Sequence, residues 1–399
     1  MLNSKTLYPL SPTGRILLGP GPSMVHSRVY EALSKKLDGH LDPEFLAIMD
    51  ETQEMLRQVM GTANKLTLSI SGTGSAGMEA AFVNLVEPGD EVLVCVNGIF
   101  GGRMSDIVER IGGRLHRIEK PWGEVFSVQD IEEALTKNPG IGVVAIVHAE
   151  TSTGAHQPLK EVGSLCRDRG KLLIVDAVTS LAGTELRVDD WNLDACYSGT
   201  QKCLSCPPGL APITFSERAV AKIQSRKSKV VSWYLDMGMI ANYWTEGKRA
   251  YHHTAPISMN YALHQALAVV LEEGLEERFA RHRTHSKALV NGLQALDFRL
   301  YPQEGHRLPM LNAVWIPEGV DDAKTRRLLL DEYNIEVGGG LGPVAGKIWR
   351  IGLMGESSRR ENVTAFLSAL ESTLYVAGVR REIGAGLAAA AAVYADGAD

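Results

Sequence analysis

A chain of 399 residues with 45% hydrophobic and 22% charged side chains has the composition of a globular protein long enough for two domains. Its formal net charge of −6 works against nucleic acid or an anionic membrane as the main partner, and no basic patch offsets it. Five cysteines, an odd number, make no secreted disulfide framework and read as buried reduced thiols. Residues 1–20 lack a basic segment followed by a long apolar core, and no run reaches bilayer-spanning length, so a cytoplasmic protein is expected. Apolar runs that read as strands fall at 66–70, 91–96, 143–147, 172–176, 194–198 and 212–215. Helical patterns lie between them at 77–86, 104–111 and 159–169. This alternation predicts an α/β architecture, a mostly parallel sheet covered on both faces. From 259 to 296 the pattern is long and helical, with Leu263, Ala266, Leu267 and Val270 at helix spacing. A smaller α+β unit starts near there, with strands near 312–316 and 348–353 and a helix at 361–375. The alanine-rich residues 380–399 read as an extra helix with a frayed end.

Two places in the α/β segment point to chemistry. Lys171-Leu172-Leu173-Ile174-Val175-Asp176 reads as a buried parallel strand ending on a carboxylate, where open α/β sheets gather their functional groups. Further on, Ser198-Gly199-Thr200-Gln201-Lys202 closes a small, hydroxyl-rich turn on a lysine. An amine that holds an aldehyde, hydroxyl and N–H donors for a phosphate, and a buried aspartate for a protonated pyridine nitrogen are the requirements of pyridoxal phosphate. A lone lysine is usually a solvated surface residue; the pairing of Lys202 with Asp176 carries this reading.

Gly72-Thr73-Gly74-Ser75-Ala76-Gly77 fits the G-x-G-x-x-G pattern of dinucleotide sites. A strand–turn–helix of this kind cradles any phosphate, because the helix N-terminus offers unpaired N–H groups and a favourable dipole. An NAD site would end its second strand on an acid, whereas here that strand ends in Cys95-Val96-Asn97 with Glu91 at its start, so the motif says phosphate rather than dinucleotide. Cys203-x-x-Cys206 looks like half a zinc site, but no second ligand pair at zinc spacing accompanies it, and no metal is expected.

Taken in order, eight segments resemble the serial motifs of class V aminotransferases, the alanine-glyoxylate and serine-glyoxylate branch above all. They are Gly19-Pro20-Gly21-Pro22, Ser71-Gly72-Thr73-Gly74, Asn97-Gly98-Ile99-Phe100-Gly101, His148-Ala149-Glu150-Thr151-Ser152-Thr153-Gly154, Val175-Asp176-Ala177-Val178, Gly199-Thr200-Gln201-Lys202, Tyr251-His252-His253-Thr254 and Trp349-Arg350-Ile351-Gly352. The resemblance runs to about Leu374. It implies pyridoxal 5'-phosphate as cofactor and the type I fold of such transferases. That fold has an N-terminal segment (1–22), a large domain (23–280) around a mostly parallel seven-stranded sheet, and a smaller α+β C-terminal domain (281–378). The tail, 379–399, lies outside it. It also implies a homodimer with shared active sites.

The roles implied by this resemblance follow residue by residue. Lys202 is the Schiff-base lysine and moves the proton between substrate and cofactor, and Asp176 holds the pyridinium proton. Thr73, Gly74, Ser75 and Gln201 bind the phosphate, with Thr200 as a further donor, and Tyr251 and Thr254 reach that phosphate from the other subunit. Phe100 stacks on the ring where animal relatives place a tryptophan. Thr151 lies near the phenolic oxygen and, with Gly21, borders the substrate. Arg350 grips the substrate carboxylate with its planar two-pronged guanidinium.

The implied reaction moves an amino group from a small amino acid to glyoxylate, giving glycine, with alanine (leaving pyruvate) as first donor and serine as second. Phe45-Leu46-Ala47-Ile48-Met49-Asp50-Glu51 and the extended tail also resemble the (S)-ureidoglycine-glyoxylate branch, which carries a glutamine near the position of His40. A cysteine desulfurase would need a nucleophilic cysteine in the later domain, and none follows Cys206. A scaffold without catalysis would leave the set of Lys202, Asp176 and Arg350 without a purpose.

Overall fold

The computed structural model describes residues 12–244, 249–379 and 382–396. The chain enters through a short strand, β1 (Ile16–Leu18), and the helices Ser27–Leu33 and Pro43–Met60. Asp42 caps the second of these by accepting from the Glu44 N–H. The α/β segment then lays down β2 (Leu66–Ser71), β3 (Glu91–Val96), β4 (Arg114–Glu119), β5 (Ile141–Val147), the two-residue β6 (Ala149–Glu150) and β7 (Ala155–His156), β8 (Leu172–Asp176), β9 (Ala195–Tyr197) and β10 (Leu210–Phe215). Seven of these form one sheet in the order β2-β10-β9-β8-β5-β3-β4, in which only β10 is reversed.

Alternation along the strands explains why this sheet is covered twice. Leu93, Val144, Ile146, Leu173 and Val175 join one apolar core, while Val92, Val94, Val143, Ala145 and Ile174 join another on the opposite face. A strand buried on both faces reads as one continuous apolar run, as Val143 to Val147 does. The edge strand β4, Arg-Leu-His-Arg-Ile-Glu, is half-exposed and charged, and for that reason gives no apolar run.

Two helices start earlier than the apolar pattern predicts. Gly74–Leu85 and Ile99–Arg110 begin in the turns themselves, where glycine and polar residues hide the helix from periodicity. The expected long helix of 259–296 is broken at Gly274, φ 87°, into Ile257–Glu273 and Leu275–Ala295. The first half buries Leu263, Ala266 and Val270 in the large-sheet core, and the second buries Leu289 and Leu293 in a different one.

That second core lies on a five-stranded sheet built from β11 (Arg299–Leu300), β12 (Leu311–Trp315), β13 (Ile335–Gly339) and β14 (Ile348–Gly352), in the order β1-β13-β14-β12-β11. β1 pairs in parallel with β13, so the N-terminal segment is part of the smaller sheet. Helix Arg360–Val376 covers it. The tail helix Ala385–Asp396 packs on Leu275–Ala295, its start held by the buried Glu371 carboxylate, which accepts from the N–H groups of Gly384 and Gly386. The expected frayed end at 397–399, and residues 1–11 of the expected N-terminal segment, lie outside the described residues. Among the described residues no helix is long and apolar enough to cross a membrane.

Candidate active site

The site forms where β8 and the turn after β9 reach the carboxyl edge of the large sheet. Asp176, the last residue of β8, is buried; its Oδ1 accepts from the Val178 N–H at 2.8 Å and its Oδ2 from the Tyr197 hydroxyl at 3.0 Å. Burial pushes this carboxyl up to about 7, with the nearby Glu150 charge adding, while Val178, Tyr197 and Lys202 pull the other way. Lys202 is 8% exposed and its Nζ donates to the Pro20 carbonyl. Burial pushes its amine down to about 8, opposed by Cys203; the Arg350 charge adds to the fall, and Asp176 and Glu150 resist it. Gly21 makes room for that amine: at φ 114°, a Cβ there would stand 2.6 Å from Lys202 Nζ.

A turn of the kind that can cradle a phosphate lies beside the lysine turn. Helix Gly74–Leu85 starts after Thr73, whose side chain makes no capping bond; the Ala76 N–H donates to the Thr73 carbonyl at 2.7 Å, and the N–H groups of Gly74 and Ser75 are open. Thr73 and Ser75 are exposed there and Gly74 is buried against Gly199, 3.5 Å from where its Cβ would be. Gln201 Oε1 is a buried oxygen without a hydrogen-bond partner. Thr200 is engaged elsewhere, its hydroxyl donating to the Pro207 carbonyl at 2.6 Å.

Opposite, Arg350 on β14 is buried, donating from Nε to the Gly339 carbonyl at 2.9 Å and from Nη1 to the Thr151 carbonyl at 3.1 Å. Burial pushes its pKa down to about 10, and its strongest opposing charge is Glu150. The Thr151 hydroxyl hydrogen-bonds the Thr179 hydroxyl. Phe100, half-buried at the start of helix Ile99–Arg110, donates its N–H to Glu150 Oε2 at 3.2 Å and has the Arg103 guanidinium over its ring. The structure therefore brings together Lys202, Asp176, Gly21, Gly74, Gln201, Thr151, Phe100 and Arg350. Within a single chain, Tyr251 and Thr254 stand apart from these on the surface, 3.4 Å from each other, with the His40 ring beside Tyr251. Their segment touches the end of β2 in its own chain through His253, whose Nε2 is 2.7 Å from Ser71 Oγ.

Sequence reasoning passed over several groups that shape this site. Tyr197 steadies Asp176, and Glu150 organises the turn around Thr151, its Oε1 accepting from the Ser152 N–H at 3.0 Å. Ser23 donates to the Lys202 carbonyl at 2.7 Å, and the Glu356 N–H donates to Ser205 Oγ at 2.7 Å, tying the lysine turn to β1 and the smaller sheet. Buried tyrosine hydroxyls and carboxylates nearly always have partners, which is the one signal the sequence carried for Tyr197 and Glu150. The five cysteines are buried and unpaired, and among the described residues no group of three or more His, Cys, Asp or Glu could hold a metal.

A neutralisable buried amine, a buried carboxyl, an open helix N-terminus and a buried guanidinium make a site for a phosphorylated aldehyde and a carboxylate. These residues fit pyridoxal phosphate, and the class they define is a pyridoxal-phosphate-dependent transferase. A sequence model of the class V aminotransferases matches residues 17–363. The solved alanine–glyoxylate aminotransferase of Nostoc sp. is 50% identical, with a TM-score of 0.91 over 92% of this chain and 97% of its own. The ureidoglycine–glyoxylate aminotransferase of Bacillus subtilis is 44% identical, with a TM-score of 0.95 over 97% and 99%. The alanine–glyoxylate aminotransferase of Felis catus is 44% identical over 92% of this chain and 89% of its own. The chain belongs to the class V aminotransferases.

Proposed function

We propose that this aminotransferase moves the amino group of a small amino acid, alanine by preference, to glyoxylate, giving pyruvate and glycine. The observation that carries the reading is the guanidinium of Arg350, buried across the site from Lys202 and in no ion pair among the described residues. It can take the carboxylate common to every amino and 2-oxo acid. A donor with a second carboxylate would need a second free cation, and Arg326, whose charge reaches Arg350, is held by both oxygens of Asp322 at 2.6 and 3.1 Å.

When bound, pyridoxal phosphate supplies the carbonyl carbon and the ring that takes up electrons as the α-proton leaves. Lys202 Nζ, whose pKa of about 8 leaves a usable fraction neutral near pH 7, carries that proton to and from the α-carbon. Asp176 holds a proton on the ring nitrogen, and a cation there keeps its carboxylate ionised against burial. Gly74, Thr73, Ser75 and Gln201 hold the phosphate, Thr200 shapes the turn, Phe100 packs on the ring, and Thr151 and Gly21 border the substrate. Tyr251 and Thr254 complete the phosphate site of a second copy in a homodimer. A cytoplasmic setting suits five unpaired cysteines.

The end-to-end match to the Bacillus subtilis enzyme favours one second reading, with ureidoglycine as donor. One assay separates the two: purified protein, glyoxylate, and alanine, serine or ureidoglycine in turn, with glycine measured. Alanine and serine turnover with little from ureidoglycine supports the first reading. Absent alanine turnover removes it.

A further inference from the structure

A cavity of about 450 Å³ opens at the seam between the two sheets, walled by helix Leu275–Ala295, the chain around Arg307, β12, and His156 and Thr184 from the large-sheet side. Its size falls within the ~300–1,000 Å³ of small-molecule sites. In a chain with 47 acids and 41 bases, the lining holds three cations, Arg283, Lys287 and Arg307, and no carboxylate. Arg283 and Lys287 stand one helical turn apart on the same face. Arg278 and Arg281 on the same helix are both held by Glu273, whereas among the described residues none of the three lining cations is in an ion pair.

Asn312 on β12 is 5% exposed; its Oδ1 accepts from the Ser286 hydroxyl at 2.7 Å, and its Nδ2 has no acceptor. The residue forms part of the cavity wall, with its amide nitrogen turned into the protein. Val290, Leu308 and Leu311 add an apolar wall. His156, pushed down to about 4 by burial, contributes a neutral ring.

We propose that this seam cavity binds a small organic anion. Its charged oxygens meet Arg283, Lys287 and Arg307, and its apolar body lies against Leu308 and Leu311. The site is separate from Arg350, although Ala313, the residue after Asn312, pairs with Arg350 across β12 and β14.

The test is titration calorimetry on the pyridoxal-phosphate-loaded protein, with phthalate as the organic dianion and inorganic phosphate as the compact one. The wild type and an Arg350→Ala variant should bind phthalate alike. The double variant Arg283→Ala/Lys287→Ala should bind it about tenfold or more weakly. Asn312→Asp, nearly unchanged in shape, places a carboxylate among the cations and should weaken binding as much, with circular dichroism showing the fold kept. The proposal is overturned if phthalate does not bind at millimolar concentration or if phosphate binds as tightly as phthalate. Loss of binding in Arg350→Ala together with its survival in the double variant overturns it too.

Discussion

Asp176 and Lys202 are buried with opposite consequences, and both are measurable. In the cofactor-free protein the folded-state pKa of Asp176, about 7, lies above its ordinary 3.8, so ionising it opposes folding. Stability from this group is complete below 3.8 and is lost as pH rises through 7, at about 1.4 kcal/mol per unit and roughly 4 kcal/mol at most. Asp176→Asn cannot ionise and still offers an acceptor to the Val178 N–H. Its cofactor-free form should therefore melt increasingly above the wild type between about pH 4 and 7, and by a steady margin above that, while turnover of the loaded form collapses. A melting difference that does not change with pH would show that Asp176 is not held up by burial. Arg350→Ala tests the other end of the site. Both half-reactions should lose roughly 1.5–3 kcal/mol of transition-state binding if one charge-assisted bond goes, a fall of about 10- to 150-fold in kcat/KM for donor and for glyoxylate alike. Loss in only one half-reaction would mean that the two carboxylates bind in different places.

Elements that are apolar along their whole length could be read from the chain, and those that owe their existence to pairing could not. β5 and β8 announce themselves as unbroken apolar runs, but β1 has three residues and β13 ends in Gly338-Gly339, and each is a strand because it lies against its partner. Turns were legible where they carry hydroxyls and glycines, as at Thr73 and Lys202. Tyr197 and Glu150 were not, since their partners, Asp176, Ser152 and Phe100, come from other elements or from the fold of the turn. Gly21 shows what such a turn demands. Gly21→Ala would combine an unfavourable φ of 114° with a Cβ against the Lys202 amine, so pyridoxal phosphate should bind weakly or not at all while the secondary structure stays intact. Gly102→Ala, in a helix with nothing within 4 Å of the new Cβ, is the control and should be neutral or slightly stabilising. Equal cofactor retention by both variants would remove Gly21 from the site.

At the scale of the whole molecule, the Tyr251 to Thr254 segment is the part of the proposed site that one chain leaves facing outward. Tyr251 is 58% exposed, and Val231 and Trp233, at 63% and 59%, are exposed apolar side chains of the preceding stretch, with the Trp233 ring stacked on His252. Exposed apolar side chains grouped in this way mark an interaction surface. A second copy docked on it by a two-fold axis would receive Tyr251 and Thr254 at its phosphate turn and return its own pair. Which surface meets which cannot be read from one chain's sequence, because no periodicity records a neighbour. Mixing Lys202→Ala subunits with Thr254→Ala subunits decides the matter. If each site takes Lys202 from one copy and Thr254 from the other, a mixed dimer has one doubly damaged site and one intact site, and random exchange leaves about a quarter of all sites intact. Turnover at limiting pyridoxal phosphate should then rise well above that of either parent. If each chain instead completes its own site, every site in the mixture carries one lesion, and turnover stays at the average of the parents even after mass spectrometry has shown that subunits exchange.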